Sequence, residues 1–286
     1  ALQNDAGVAF VQPPERSQVG EAATILVFPT TAPQDPQTVD LLERIRGPIF
    51  SSTLSNDSKA HVGGATASFA DVSDRVQSRL PIFITGVIAL SFILLMLVFR
   101  SILVPIKAAL LNLLSIGSAY GVLVMVFQWG WGRSLIGVEE AVPIVSFIPM
   151  FMFAVLFGLS MDYEVFLLSR VKEEYLVTGN NSQSVISGIS NTARVITSAA
   201  LIMISVFLGF VANPDPILKM MGLGLATAIF VDATIVRVIL VPASMKLMGD
   251  ANWWFPKSLA WVPRLDIEGE ERLPSREFES SSQTAN

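Results

Sequence analysis

Apolar residues along this chain gather into long stretches separated by short polar turns. A helix needs about 20 apolar residues to cross the hydrocarbon of a bilayer. Five stretches come close to that length: residues 80–99, 102–127, 143–169, 192–212 and 217–248. The third and fifth exceed what one span requires, so tilt or an extension beyond the bilayer is expected. Residues 1–79 have a different texture. The run 22–28 reads as a strand. Asp35-Pro36 reads as a helix start, with Asp as N-cap and Pro at the first position. That helix runs to Arg46, with Val39, Leu42 and Ile45 on one face. A second strand is expected near His61-Val62, followed by Gly63-Gly64 and a helix from about Ala67 that feeds the first span. The predicted fold is an α-helical membrane protein. Five transmembrane helices (80–248) carry an N-terminal external α+β subdomain of the porter type (1–79) with a β-α-β-α order. An interfacial segment (249–265) and a disordered acidic tail (266–286) follow.

Positive charge in short loops sets orientation. Arg100 and Lys107, then Arg170, Lys172 and Arg194, then Lys257 and Arg264, fall on one side, expected to be cytoplasmic. The turn with Arg133, Glu139 and Glu140, and the turn at 213–215, fall on the other. All five tryptophans (Trp129, Trp131, Trp253, Trp254, Trp261) sit at predicted interfaces, where amphipathic indoles concentrate. Residues 252–261 accordingly read as an interfacial stretch. Five spans put the two ends of the chain on opposite sides. An external 1–79 with no signal peptide before it suggests the C-terminal portion of a longer polypeptide.

Composition narrows the chemistry. Hydrophobic residues make up 52% and charged residues 15%, against about 25% charged in soluble domains. With 0 Cys and 1 His, disulfides, thiolate nucleophiles and zinc–thiolate sites are excluded and no metal site is expected. His61, beside two glycines, reads as a turn or surface residue. The net charge of -5 resides mostly in the tail, and no basic stripe points to nucleic acid.

What remains is a set of intramembrane polar groups. Asp162 lies eight residues before Arg170, about 12 Å along a helix. Asp232 lies 13 residues after Lys219 and 14 before Lys246, about 20 Å from either. A carboxylate there costs several kcal/mol unless paired or hydrated, and intramembrane acids usually carry function. Proton carriage is the sharper reading. A single pairing to a neighbouring helix is the plainer one. Ala154, Gly158 and Asp162 are spaced i, i+4, i+8, and so are Gly224, Ala228 and Asp232. Small residues let helices approach closely. Packing explains the small residues, as it does for Gly117 and Gly121, but not the acids. Tyr163 could relay a proton to a carboxylate on another helix or reach toward the interface. Arg237 is about 140° round an α-helix from Asp232 and is poorly placed as its partner. An acid on another helix fits better, Glu164 being one candidate, although Glu164 could equally reach the cytoplasmic interface. Asn112, Ser115, Ser118, Ser198 and Ser205 could line a polar path or bond their own helices.

The run FGLSMDYEVFLLSR (157–170) resembles a signature of the MmpL (mycobacterial membrane protein, large) family, within the resistance–nodulation–division transporters. VDATIVR and LVPASMKL (231–247) resemble that family's final span, and GDANWWFP (249–256) its exit from the membrane. The resemblance covers nearly the whole chain and implies the second half of a twelve-span, two-repeat transporter in the inner (plasma) membrane. Such proteins export lipids, notably envelope glycolipids, on the proton-motive force, with protons as coupling ion and no other cofactor. Asp162 and Tyr163 match the second-half Asp-Tyr pair of the proton relay, and Asp232 and Arg237 match the final-span acid and base. The matching first-half pair is absent here, so the N-terminal half of the transporter is the implied partner, and this chain alone should not transport.

The implied mechanism is antiport, with neutralisation of Asp162 releasing one packing of the two repeats. The function class is thus a secondary transporter rather than an enzyme. Two rivals keep the same scaffold: a sterol-sensing-type receptor without transport, and an intramembrane aspartyl protease, whose Gly-x-Gly-Asp this chain lacks around Asp232. A carboxylate locked in a permanent ion pair and sealed from water would be scaffolding, not a relay.

Overall fold

The computed structural model describes residues 2–18, 22–33, 35–53 and 58–256. A 3-10 turn (Leu2–Asn4) leads into four short strands: β1 (Val8–Val11), β2 (Glu15–Arg16), β3 (Ala23–Thr24) and β4 (Val27–Pro29). β1 pairs antiparallel with β4, and β2 with β3. A single bond from Gln12 N to Leu26 O (2.9 Å) joins the two ladders into one interrupted hairpin. Pro13 and Pro14 sit at the interruption and have no N–H to give to a ladder. The strand expected over 22–28 is therefore split, and β1 and β2 are strands that the hydropathy pattern did not signal.

The strand expected at His61-Val62 is absent. Residues 58–63 have no regular structure, and the backbone is held instead by Arg46, whose Nη2 donates to Val62 O at 3.2 Å. The β-α-β-α order thus gives way to a hairpin followed by helices. α1 (Pro36–Arg44) runs through a π turn (Ile45–Ile49) into α2 (Phe50–Thr53). Asp35 is the N-cap residue, but its side chain makes no capping bond. Arg44 grips Asp5 through two bonds of 2.9 and 2.8 Å. That guanidinium, with the Gly7 N–H, holds the Asp5 carboxyl at about 2.

α3 (Ala65–Phe99) is one helix of 35 residues, continuous across the expected boundary at 79/80. Arg46, in the π turn after α1, pairs with Asp71 and so ties the first turns of α3 to it. The remaining helices are α4 (Leu103–Leu123, extended by a π turn at Val124–Gln128), α5 (Phe147–Thr178), α6 (Asn181–Val211), α7 (Pro216–Val231) and α8 (Val241–Met248). α7 and α8 are joined without a break by a π-helical stretch, Asp232–Leu240. Five helices are long and apolar enough to cross a membrane. α5 and the α7–α8 helix are the most buried, α3 and α6 the least.

The helices outrun the apolar windows at their polar ends. α5 continues to Thr178, where Gly179 stops it at φ 65°. α6 starts at Asn181, capped by the Asn180 side chain accepting from Gln183 N. Arg194 therefore lies well inside a helix rather than in a loop. Lys107 is likewise not in a turn but inside α4, 6% exposed.

The core is divided in two. One cluster, around Leu123, Met152, Phe153 and Ala228, fills the half nearer the N-terminal unit. The other, around Phe99, Leu168, Val171 and Met245, fills the opposite half. Between them the inner helices contribute a layer of polar residues: Lys107, Asn112 and Ser115 from α4, Ser160 and Glu164 from α5, and Asp232 with Arg237 from the π-helical stretch, all buried. The opposite end is closed by hydrogen bonds. Lys172 Nζ donates to Val98 O (3.1 Å) and Phe99 O (3.2 Å) at the end of α3. Tyr175 stacks on Trp253 with centroids 5.4 Å apart. Asn252, fully buried, donates to Met245 O at 2.7 Å. Residues 257–265 of the expected interfacial segment, with Lys257, Trp261 and Arg264, and the tail 266–286, lie outside the described residues.

Candidate functional site

The polar layer centres on Asp232. Arg237 Nε donates to Asp232 Oδ2 at 2.9 Å, with side-chain exposures of 6% and 13%. This corrects the expectation that the two are badly placed for one another. An α-helix turns residue i+5 well away from i. The stretch Asp232–Leu240 is π-helical, and i→i+5 winding brings residue i+5 back over residue i. The same finding corrects the pairing suggested between Arg237 and Glu164: the arginine takes an acid of its own helix.

Ser160 completes the cluster from α5. Its hydroxyl lies 3.1 and 3.2 Å from the two Asp232 carboxylate oxygens. Arg237 Nη2 donates to Ser160 O at 2.6 Å and reaches Ser160 Oγ at 3.3 Å. Tyr163, one turn on, presents its ring to the guanidinium at 5.0 Å. Its hydroxyl contacts Met203 Sδ on α6 at 3.5 Å. A cavity of about 20 Å³ opens beside Asn112, Ser160, Tyr163, Asp232 and Arg237, large enough to hold a water molecule. Asp232 is thus ion-paired, as plain scaffolding would have it, with a cavity the size of a water molecule beside it.

Asp162 lies elsewhere. It is exposed on the outer face of α5, on the stripe of Ala154 and Gly158, which are exposed too. Nothing lies within 4 Å of a Cβ built on Gly158. Two residues after Ser160 is about 200° round an α-helix, so Asp162 faces away from Asp232. Among the described residues it makes no hydrogen bond or ion pair. The second stripe behaves oppositely. A Cβ on Gly224 would meet Met152 Cε at 2.4 Å, Ala228 is fully buried, and Ser115 donates to Ala228 O at 2.9 Å. Two sequence patterns that look alike therefore do different things, one packing within the chain and one left open.

Glu164 does not reach an interface. It is 7% exposed and its Oε1 has no hydrogen-bond partner. Of the hydroxyls singled out by sequence, Ser118 and Ser205 bond the carbonyls four residues back at 2.8 Å each. Asn112 and Ser115 line the cavity. Ser160 and Lys107 were missed. A lone serine in an apolar run carries no signal, and a lysine near a span end reads as a loop charge.

The MMPL family model matches residues 2–266. The chain is 38% identical over 272 residues to the "Mycolic acid-containing lipids exporter MmpL11" of Mycolicibacterium smegmatis, covering 94% of this chain and 28% of that protein. It is 40% identical over 262 residues to the "Heme uptake protein MmpL11" of Mycobacterium tuberculosis (strain H37Rv), covering 91% and 27%. It is 38% identical over 216 residues to the "Trehalose monomycolate exporter MmpL3" of M. smegmatis, covering 74% and 21%. The chain thus spans about a quarter of the length of these relatives. With the match running from the first strand through all five long apolar helices, this multi-pass membrane chain belongs to the MMPL family.

Proposed function

We propose that the chain is the C-terminal portion of a secondary transporter that moves lipids, glycolipids or other hydrophobic molecules outward, driven by the proton-motive force. The observation that carries this reading is the arrangement of its intramembrane charges. One acid, Asp232, sits in a hydrogen-bonded cluster beside a cavity the size of a water molecule. A second, Asp162, stands open on a face of small residues. Tyr163, next to Asp162 on α5, presents its ring to Arg237, the partner of Asp232.

In this reading the open face receives the N-terminal half of the transporter, which brings a matching Asp-Tyr pair against Asp162 and Tyr163. Protonation of Asp162 removes a charge from that seam and lets the halves shift. Asp232 keeps its pairing with Arg237 and the hydrogen bonds of Ser160. The transporter lies in the plasma membrane, with 1–79 external and the C-terminus cytoplasmic. Each inward proton yields about 2.3 kcal/mol per 100 mV, enough to bias a two-state equilibrium by a factor of tens. Protons are the coupling ion, and no other cofactor is invoked. The relatives' names give two cargo classes, mycolic acid-containing lipid for export and haem for uptake.

The test is transport by the full-length protein in proteoliposomes under an imposed pH gradient, with a mycolate glycolipid and haem offered separately. The reading expects one of them to move only while the gradient lasts and to stop when a protonophore collapses it. Movement indifferent to the gradient contradicts it.

A further inference from the structure

Among the described residues, five buried side-chain polar atoms have no hydrogen-bond partner, and four of them belong to the polar layer: Lys107 Nζ, Asn112 Oδ1, Glu164 Oε1 and Arg237 Nη1. An unsatisfied buried polar atom costs about 1–3 kcal/mol, and more when charged. Four in one place call for a common partner. For three of the four, Asn112, Glu164 and Arg237, the space for it is present. Beside the 20 Å³ cavity at Asp232, a second of about 10 Å³ lies among Asn112, Ser160, Glu164, Asp232 and Arg237. A third of about 10 Å³ lies among Ser91, Asn112, Phe157, Met161 and Glu164. Asn112 lines all three. Each is at or just above the room one water needs, and each is polar enough to hold it.

Direction follows from helix geometry. Glu164 is four residues beyond Ser160 along α5, about 6 Å nearer the end that carries Arg170 and Lys172. α4 runs the other way, so Lys107 is about 7.5 Å nearer that same end than Asn112. Lys107 and Glu164 face one another electrostatically without a hydrogen bond between them. The charged groups around Glu164 are Lys107 from α4, with Asp232 and Arg237 from the π-helical stretch. Two acids and two bases balance to zero. A proton on Glu164 leaves the cluster at +1, so Glu164 can change charge while Asp232 keeps its partner.

We propose that Asn112 and Glu164 form a hydrated proton path that leads from the Asp232–Arg237–Ser160 cluster toward the Arg170/Lys172 end of the bundle, with Glu164 as the carboxylate that holds the proton in transit and Lys107 as the charge beside it. A proton delivered by one water binds a Glu164 oxygen and leaves to the next water, regenerating the carboxylate. Lys107 keeps its own protons and supplies the balancing charge. Asn112 orients the waters where the cavities meet. The proposal rests on the proton-coupled reading above and adds a route that Asp162, on the far face of α5, does not provide.

The experiment measures proton flux and its pH profile in the full-length protein in proteoliposomes, with thermal stability as a second readout. The variants are Glu164→Gln, Glu164→Asp, Lys107→Met, the double variant Glu164→Gln/Lys107→Met, and Asp162→Asn. The path predicts that Glu164→Gln loses flux by about tenfold or more, and that Glu164→Asp keeps part of it with a displaced pH profile. The double variant removes both buried charges and so regains stability, yet stays as slow as Glu164→Gln. Recovery of flux together with stability in the double variant makes the pair structural and overturns the path. So does an unchanged flux and pH profile in Glu164→Gln beside a null Asp162→Asn. Wild-type flux in Asp162→Asn beside a loss in Glu164→Gln removes Asp162 from the relay and leaves the path standing. Absence of gradient-driven flux in the unsubstituted protein overturns both readings.

Discussion

Asp232 and Arg237 show how far one hydrogen bond depends on backbone winding. Five residues apart, they meet at 2.9 Å because the helix between them is π-wound. Sequence alone supplies the residue types but not the winding, since no residue between them marks a departure from α geometry. A buried pair of this kind adds little net stability over an apolar pair, whereas removing one member strands the other. Arg237→Met is expected to destabilise the protein by about 3–5 kcal/mol, and Asp232→Asn/Arg237→Met to recover more than half of that. Unfolding in detergent micelles, read as a double-mutant cycle, checks it. Additive losses would mean that the two side chains do not act as a pair. Arg237→Lys should fall between, because an ammonium cannot hold Asp232 Oδ2 and Ser160 O with the fixed spacing of a guanidinium.

At the level of helices, five spans were legible because hydrocarbon thickness imposes a length that hydropathy displays directly. Their ends were not. The polar extension of α5 to Thr178 and of α6 from Asn181 is set by Gly179 and the Asn180 cap, and neither changes an apolar average. The small-residue stripes were legible as a pattern, but not which of them is occupied. Close approach decides that. A Cβ on Gly188 would come within 2.6 Å of Val171 Cγ2 and 3.0 Å of Val171 Cα, and one on Gly222 within 2.6 Å of Phe207 O. Gly117 and Gly158 have nothing within 4 Å. Gly188→Ala and Gly222→Ala should therefore each lower stability by about 1–3 kcal/mol. Gly117→Ala should be neutral or slightly stabilising. Thermal unfolding of the four single variants, Gly158→Ala included, is the check. The full-length protein adds a contrast: Gly158→Ala should cost stability there if another helix packs on that face, and nothing if the face meets lipid. A Gly188→Ala variant as stable as the parent would contradict the packing of α5 on α6.

For the molecule as a whole, the two apolar cores with a polar layer between them make the bundle a poor candidate for inert scaffolding. An apolar layer would pack as well without the cost of burying Lys107, Glu164, Asp232 and Arg237. The N-terminal unit was the least legible part. Its hairpin is short, interrupted by Pro13 and Pro14, and held to α1 by the Asp5–Arg44 pair, a contact between residues 39 apart that no local pattern announces. The open Ala154–Gly158–Asp162 face is also a property of the whole: an acid left exposed on a membrane helix is stable only against water, lipid headgroups or a polar partner. In the proposed cycle the charge on Asp162 is the one the proton-motive force acts on. It is tested most directly by substrate-coupled proton uptake in proteoliposomes of the full-length protein, comparing the unsubstituted form with Asp162→Asn under the same imposed pH gradient. Asp162→Asn should insert and unfold like its parent but take up no substrate-dependent protons. Coupled uptake at the parent's rate in that variant would contradict it.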